Sequence, residues 1–171
     1  DTMRASTAEA AIKAGASIIN DVSGGLADPE MLQTAARLGV PYIAMHWRGQ
    51  SKDMNSKAIY NDVVVDVISE LQERITAALD AGIEVGNLII DPGLGFAKDA
   101  EHNWEIIDSI DSFVDLGYPV LVGASRKRFL GGDSPDEREQ ATIDLTKRLA
   151  TTGVWAVRVH SVKPHKEVLA Q

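Results

Sequence analysis

The chain has no cysteine among its 171 residues. Disulfides, thiolate metal sites and cysteine nucleophiles are therefore excluded, and a reducing compartment, the cytoplasm by default, is the expected location. Aromatic side chains are scarce at 5%, and no apolar run approaches the ~18 residues of a membrane span. Basic side chains are the minority, 17 Lys and Arg against 25 Asp and Glu, for a formal charge of −8. A nucleic-acid groove or a surface for anionic membranes would need the opposite sign, so neither is an expected partner. Also lacking is a strand before the first helical pattern, which begins directly after Asp1-Thr2-Met3-Arg4. What is present, 44% apolar and 25% charged residues, is ordinary globular composition and predicts one domain over 1–171, N-terminally truncated.

Five apolar runs each stop on polar side chains. They are 17–21, ending at Asn20 and Asp21; 40–46, ending at His46; 87–91, ending at Asp91; 119–124, followed by Ser125 to Lys127; and 155–160, ending with Arg158 and His160. Helical spacing fills 4–15, with Ser6 or Thr7 near its N-cap, then 31–39, 61–82, 100–117 and 137–152, and a final helix covers 163–171. Strand alternating with helix is what parallel crossovers require. The predicted fold class is α/β, a (β/α)8 TIM barrel present as an incomplete barrel of about five parallel strands with their helices, because a whole barrel takes roughly 250 residues. Barrels handle substrates at the carboxyl ends of their strands, which directs attention to the polar residues closing each run. The long polar loop 47–62 is a candidate binding loop or mobile flap, or else plain surface, and 125–139 is a second long loop.

The segment DPGLGFAK at 91–98 is the most specific local signal. An ionised Asp91 at a strand end can accept two parallel N–H bonds from an amidine-like edge, such as the 2-amino-pyrimidinone of a pterin or guanine; alternatively it caps the following turn. Arg158 and His160 are two apart and point to one face. A buried arginine needs an anion, which a diphosphate would supply, or else a salt bridge to Asp91 or Asp21. Lys127 can reach ring oxygen or nitrogen atoms, while Arg126 and Arg128 are read as facing solvent. Asn20 offers a donor and an acceptor to a heterocycle edge, and Asp21, its neighbour, points the other way. Met45 and Phe96 are apolar walls for a planar ring or simply core. His46, His102 and His165 lack metal-ligand spacing, so no metal ligand is assigned. GLGF lacks the third glycine of a dinucleotide fingerprint, and Ser125 has no histidine placed by sequence to activate it.

Taken in order, DTMR at 1–4, IINDVSGG at 18–25, MHW at 45–47, DPGLGFAK at 91–98, GASRKRFLG at 123–131 and RVH at 158–160 resemble dihydropteroate synthase, the pterin-binding barrel enzyme of folate biosynthesis. The resemblance covers essentially the whole chain. It implies a transferase that condenses 6-hydroxymethyl-7,8-dihydropterin diphosphate with p-aminobenzoate, releasing diphosphate and forming dihydropteroate, and that sulfonamides target. It implies that Asp1, Asn20, Asp91 and Lys127 hold the pterin, with Met45 lining its pocket, that Arg158 and His160 bind the diphosphate, and that Phe96, Ser125 and the stem of Lys127 border p-aminobenzoate. Asp91, Lys127, Arg158 and His160 are the implied catalytic set. The resemblance implies that diphosphate leaves dissociatively and that Asp91 would stabilise the positive charge that develops on the pterin methylene. The resemblance further implies Mg2+ as cofactor and a homodimer through C-terminal helices.

The same resemblance exposes departures. Its members begin with two strands whose loops carry an Asn used for magnesium and a Thr-Arg-Pro segment over p-aminobenzoate, and neither has a counterpart in this sequence. Ser161 stands where the family usually has Asp, and the final helix is short. The expectation is a polypeptide that is unstable or self-associating alone, with weak or no synthase activity. Three other readings stay open: a pterin-binding methyltransferase domain, which shares the barrel and the carboxylate but has no need of SRK and RVH; a non-catalytic folate-binding or interaction protein; and a doubly wound nucleotide-binding domain, for which the first loop lacks Walker or dinucleotide spacing.

Overall fold

Alternation along short parallel strands decides which side chains meet. The computed structural model describes residues 1–50 and 52–170; Ser51, within the expected binding loop, and Gln171, at the end of the expected last helix, lie outside the described residues. The strands are β1 (Ile19–Asp21), β2 (Tyr42–Met45), β3 (Leu88–Asp91), β4 (Leu121–Val122) and β5 (Ala156–Val157). All pair in parallel, and a bridge from Ile90 to Val120 joins β1-β2-β3 to β4-β5, so strand order in space follows strand order in the chain. The helices are α1 (Ala5–Lys13), α2 (Met31–Leu38), α3 (Val63–Asp80), α4 (Ala100–Asp108), α5 (Ile110–Val114), α6 (Arg138–Leu149) and α7 (Val162–Leu169). Among the helices, α1 packs on α2, α2 on α3, α3 on α4 and α6 on α7. The result is an arc of an α/β barrel, with β1 and β5 at its two ends.

Helix α3 shows how the sequence builds the outer layer. Asp62 caps it by accepting from the Val64 and Val65 amides, and Val63, Val67, Leu71, Ile75 and Ala78 recur at helical spacing on the buried face. Burying each of the larger side chains contributes about 1.5–3 kcal/mol. Helix α1 is capped differently from expectation. Neither Ser6 nor Thr7 serves; Asp28 accepts the Ala5 amide at 2.8 Å through one oxygen and the Glu30 amide at 3.0 Å through the other, so one carboxylate organises the entries to both α1 and α2. The helix expected over 100–117 divides at Ser109, whose φ of −108° and ψ of 23° leave the helical region. Serine competes poorly in a helix interior because its hydroxyl favours local backbone bonds. The strand expected over 155–160 narrows to Ala156–Val157, although the Arg158 amide still donates to Val122 O at 3.0 Å.

Period two divides the sheet into faces. Ile19, Tyr42, Ala44, Leu88, Ile90 and Val122 face the helices in the main core. Ile43, Ile89 and Leu121, with Ala156, form a smaller cluster on the inner face. Two residues further along, the same inner face carries Met45, Asp91, Gly123 and Arg158. An apolar floor thus supports a layer of polar and small residues at the carboxyl ends. Asp21 faces outward, fully buried, accepting from the Ser23 amide and hydroxyl, the Gly25 amide and the Tyr42 hydroxyl at 2.7–2.8 Å. It is a structural carboxylate that shapes the first loop.

Candidate active site

Asp91 closes β3 with 1% of its surface exposed. One carboxylate oxygen accepts the Gly93 amide at 2.8 Å, and the other accepts Arg158 Nη1 at 3.2 Å. The turn cap and the ion pair, each read as an alternative to a ligand contact, are both made. The pair crosses β4 because the intervening residue is Gly123: a Cβ there would lie 2.4 Å from an Arg158 guanidinium nitrogen. Gly93 and Gly95 hold left-handed φ values of 69° and 75°, and a Cβ on Gly93 would sit 2.4 Å from His46 O. That turn can be built only with glycine at such an approach.

A cavity of about 210 Å³ above this layer is lined by Asp1, Gly123, Ser125, Lys127, Arg158 and His160. Asp1 accepts a hydrogen bond from Asn20 Nδ2, which leaves Asn20 Oδ1 buried with no partner among the described residues. Buried polar atoms are nearly always satisfied, so this oxygen marks a place for a ligand N–H. Lys127 donates to Leu94 O and lies 4.6 Å over the Phe96 ring. Burial lowers its ammonium to about 8; Asp91 opposes the shift and Arg158 adds to it. Phe96 and Lys127 also line a larger cavity of about 660 Å³ with Met54, Asn103, Arg128 and Arg138. Met45 is fully buried against the DPGLG turn. The Ser125 hydroxyl is 2.9 Å from His160 Nδ1 and accepts the His160 amide at 3.2 Å. The sequence offered no histidine for Ser125 because the pair is separated by a helix and a strand, and only the β4-β5 pairing brings it together.

Several groups around the site were not singled out from sequence. Lys98 is buried, with Nζ 2.8 Å from His46 Nδ1 and 3.2 Å from both Gly93 O and Phe96 O. His46 in turn donates from Nε2 to Glu70 at 2.9 Å, and Arg48 binds the same carboxylate at 3.1 Å. Burial, reinforced by Lys98, pushes the His46 imidazole down to about 4, and burial lowers the Lys98 ammonium to about 7 against the pull of Asp91. Burial alone would raise Glu70, but hydrogen bonds from His46 and Arg48 outweigh it and bring the carboxyl to about 2. Arg48 also stacks on Tyr60, whose hydroxyl donates to Ala97 O at 2.9 Å, where φ is 48°. These contacts grip the 91–98 turn from behind. The readable signal was Lys98 within DPGLGFAK; Glu70, on the polar side of a helical pattern, carried none.

The remaining polar residues are structural. Arg126, read from sequence as facing solvent, instead donates to Glu139 at 2.7 Å and Ser161 at 2.9 Å from a left-handed φ of 59°, whereas Arg128 is exposed. His102 forms a capping box with Asp99, and His165 is buried against Thr146. Among the described residues, no group of three or more His, Asp or Glu converges as a cation site. No helix among them is long and apolar enough to cross a membrane.

Comparison with known proteins agrees with this geometry. A family model described as "Pterin binding enzyme" matches residues 1–160. The dihydropteroate synthase of Mycobacterium leprae (strain TN) is 45% identical, covering 99% of this chain and 63% of its own length. Among solved structures, the dihydropteroate synthase of Xanthomonas albilineans with 4-aminobenzoic acid superposes with a TM-score of 0.93 at 37% identity, covering 99% of this chain and 61% of that one. The Thermus thermophilus enzyme in complex with 6HMPPP gives a TM-score of 0.93 at 39% identity, covering 99% and 68%. This chain spans 63% of the length of the Mycobacterium leprae protein and 56% of the Bacillus subtilis dihydropteroate synthase, which is 42% identical over 95% of this chain. With the strand-end carboxylate, the arginine paired with it and a match over nearly every residue, the chain belongs to the pterin-binding enzyme family.

Proposed function

We propose that the protein bearing this chain is a dihydropteroate synthase, condensing 6-hydroxymethyl-7,8-dihydropterin diphosphate with p-aminobenzoate. The observation that carries the reading is a cavity lined by Asp1, Lys127, Arg158 and His160 in which Arg158 is anchored on a buried carboxylate, Asp91, and Asp1 holds Asn20, whose Oδ1 has no partner among the described residues. A pterin presents adjacent N–H groups to Asp91 and a further N–H to Asn20, while its diphosphate lies toward Arg158 and His160. Arg158 has five N–H donors and spends one on Asp91, so it can pair with the carboxylate and meet an anion together. As diphosphate departs, positive charge spreads from the methylene into the ring; Asp91 stabilises it, and Arg158 and His160 stabilise the leaving group. The amine of p-aminobenzoate then forms the new C–N bond from the Phe96 and Lys127 side and loses a proton. Solved relatives hold 4-aminobenzoic acid and 6HMPPP, which supports both halves of this assignment. A methyltransferase reading has no use for Arg158 and His160 at the same cavity.

The described residues alone do not fit a magnesium site, since no acidic or histidine cluster converges, and no step here runs through that ion. The dimer contact through C-terminal helices belongs to the same proposal, supported by exposed Val162 and Leu169 on α7. Cytoplasmic location is part of it too, consistent with the lack of cysteine. Turnover by the 171-residue polypeptide alone is expected to be weak, because β1 and β5 leave the arc open. The test is calorimetric titration with the pterin diphosphate, beside Asp91→Asn. Saturable binding that falls at least about tenfold in the variant is expected for loss of a charge-assisted pair. A folded chain that does not bind, or a variant that binds equally well, would overturn the reading.

A further inference from the structure

His160 is the donor whose behaviour the sequence leaves most open, because a neutral imidazole carries its hydrogen on either nitrogen. The structure narrows that choice through Ser125, which is 7% exposed at the end of β4. Its Oγ accepts the His160 backbone amide at 3.2 Å and lies 2.9 Å from His160 Nδ1. With the amide occupying a lone pair, the serine hydrogen has one described acceptor in reach, Nδ1. In a neutral ring the hydroxyl therefore donates to Nδ1, and the ring hydrogen sits on Nε2. In a protonated ring Nδ1–H donates to Oγ, and Nε2 again carries hydrogen. The one arrangement that Ser125 disfavours, a neutral ring protonated on Nδ1, would strand the hydroxyl hydrogen of a buried serine. It is also the one arrangement that would turn a lone pair toward an anion.

We infer that Ser125 is a positioning residue that fixes His160 as an Nε2–H donor toward the diphosphate end of the cavity that both residues line with Arg158. The inference rests on the proposed reading of that cavity and adds a role to Ser125 that contact with p-aminobenzoate does not include. Neighbouring groups fit it. Arg158 lines the same cavity from its anchor on Asp91, and Arg126 is held by Glu139 and Ser161, so Arg158 and His160 are the donors that the residues following β5 bring there.

Two readouts on the 171-residue chain test the inference. The first needs no ligand: nitrogen-15 spectra of the histidine rings at neutral pH should show His160 as the Nε2–H tautomer in the wild type and in Ser125→Thr, and as a mixture in Ser125→Ala. The second compares ligands. Ser125→Ala should weaken binding of the pterin diphosphate about tenfold, the scale of one hydrogen bond to a charged group, while leaving binding of the 6-hydroxymethylpterin alcohol unchanged. In a His160→Gln background, where the amide nitrogen takes the Nε2 position and no tautomer exists, adding Ser125→Ala should cost nothing more. An unaltered tautomer in Ser125→Ala, or equal loss of both ligands, would overturn the role. A wild type that binds neither pterin would instead overturn the reading of the cavity, and the tautomer spectra would still decide what Ser125 does.

Discussion

At the scale of single residues, the site is a set of groups whose charges are fixed by burial and by one another. Lys127 is the sharpest case, because burial brings its ammonium from 10.5 to about 8 beside Asp91. An anionic diphosphate prefers the protonated lysine, so affinity should be full below that value and decline as pH rises through about 8. Lys127→Arg, which keeps its charge at any such pH, should flatten the decline; titrations across that range check it, and a wild-type affinity indifferent to pH would refute it. His46 makes a prediction about stability. Its folded value of about 4 lies below the ordinary 6.5, so between them the unfolded chain binds more protons than the folded one. Stability should be complete above 6.5 and fall by about 3 kcal/mol as pH drops to 4, a slope that His46→Gln removes in denaturant titrations. Asp91, Asn20, Arg158 and His160 were legible in the sequence because each ends an apolar run, and alternation assigned Asn20 and Asp21 to opposite faces. Glu70 was not, nor was the role of Lys98 within DPGLGFAK, because both depend on His46 lying between them, and no periodicity links a helix surface to a turn.

Elements position these groups through register more than through their own length. Strands β4 and β5 have only two residues each, yet Leu121 opposite Ala156 and Val122 opposite Val157 place Gly123 beside Arg158 one step later. Gly123 is required for the space it leaves, not for a left-handed backbone, since its φ is not positive. Gly123→Ala should therefore drive Arg158 off Asp91, leaving a buried carboxylate unpaired at a cost of about 1–3 kcal/mol. Pterin diphosphate affinity should fall with it, and calorimetry beside a denaturant midpoint measures both. Unchanged affinity would mean that the arginine has another path to the carboxylate. The succession of strands and helices was readable from the apolar runs, and so was the DPGLG turn from its glycines. The break at Ser109 was not, because Ile106, Ile107, Ile110 and Phe113 keep helical spacing across it and are all buried. A hydrophobic pattern reports the face that packs, and it is blind to one residue of altered ψ on the way.

For the whole molecule, the open ends of the arc matter most. The β1 end is partly covered, since the Thr2 amide donates to Asn20 O at 3.0 Å, whereas β5 pairs only with β4 among the described residues. Close to that edge Trp155 is 53% exposed, and on α7 Val162 is 67% and Leu169 51% exposed. Val162 and Leu169 are seven apart and share a helix face, next to the side on which His165 is buried. An unpaired strand edge next to exposed apolar side chains favours association in solution. The acidic surface opposes this only weakly at physiological salt, because charges farther apart than about 8 Å are largely screened. Sedimentation velocity should therefore show a concentration-dependent dimer. If α7 carries the contact, Val162→Glu combined with Leu169→Glu shifts the chain to monomer while leaving the proposed pterin binding intact, since neither residue lines the cavity of Asp1, Lys127 and Arg158. If the β5 edge carries it instead, the double variant remains associated and Trp155→Lys disperses it. A chain that stays monomeric at every concentration would show that the exposed face is too small to bind a second copy, and would remove the support that α7 gives to the proposed dimer.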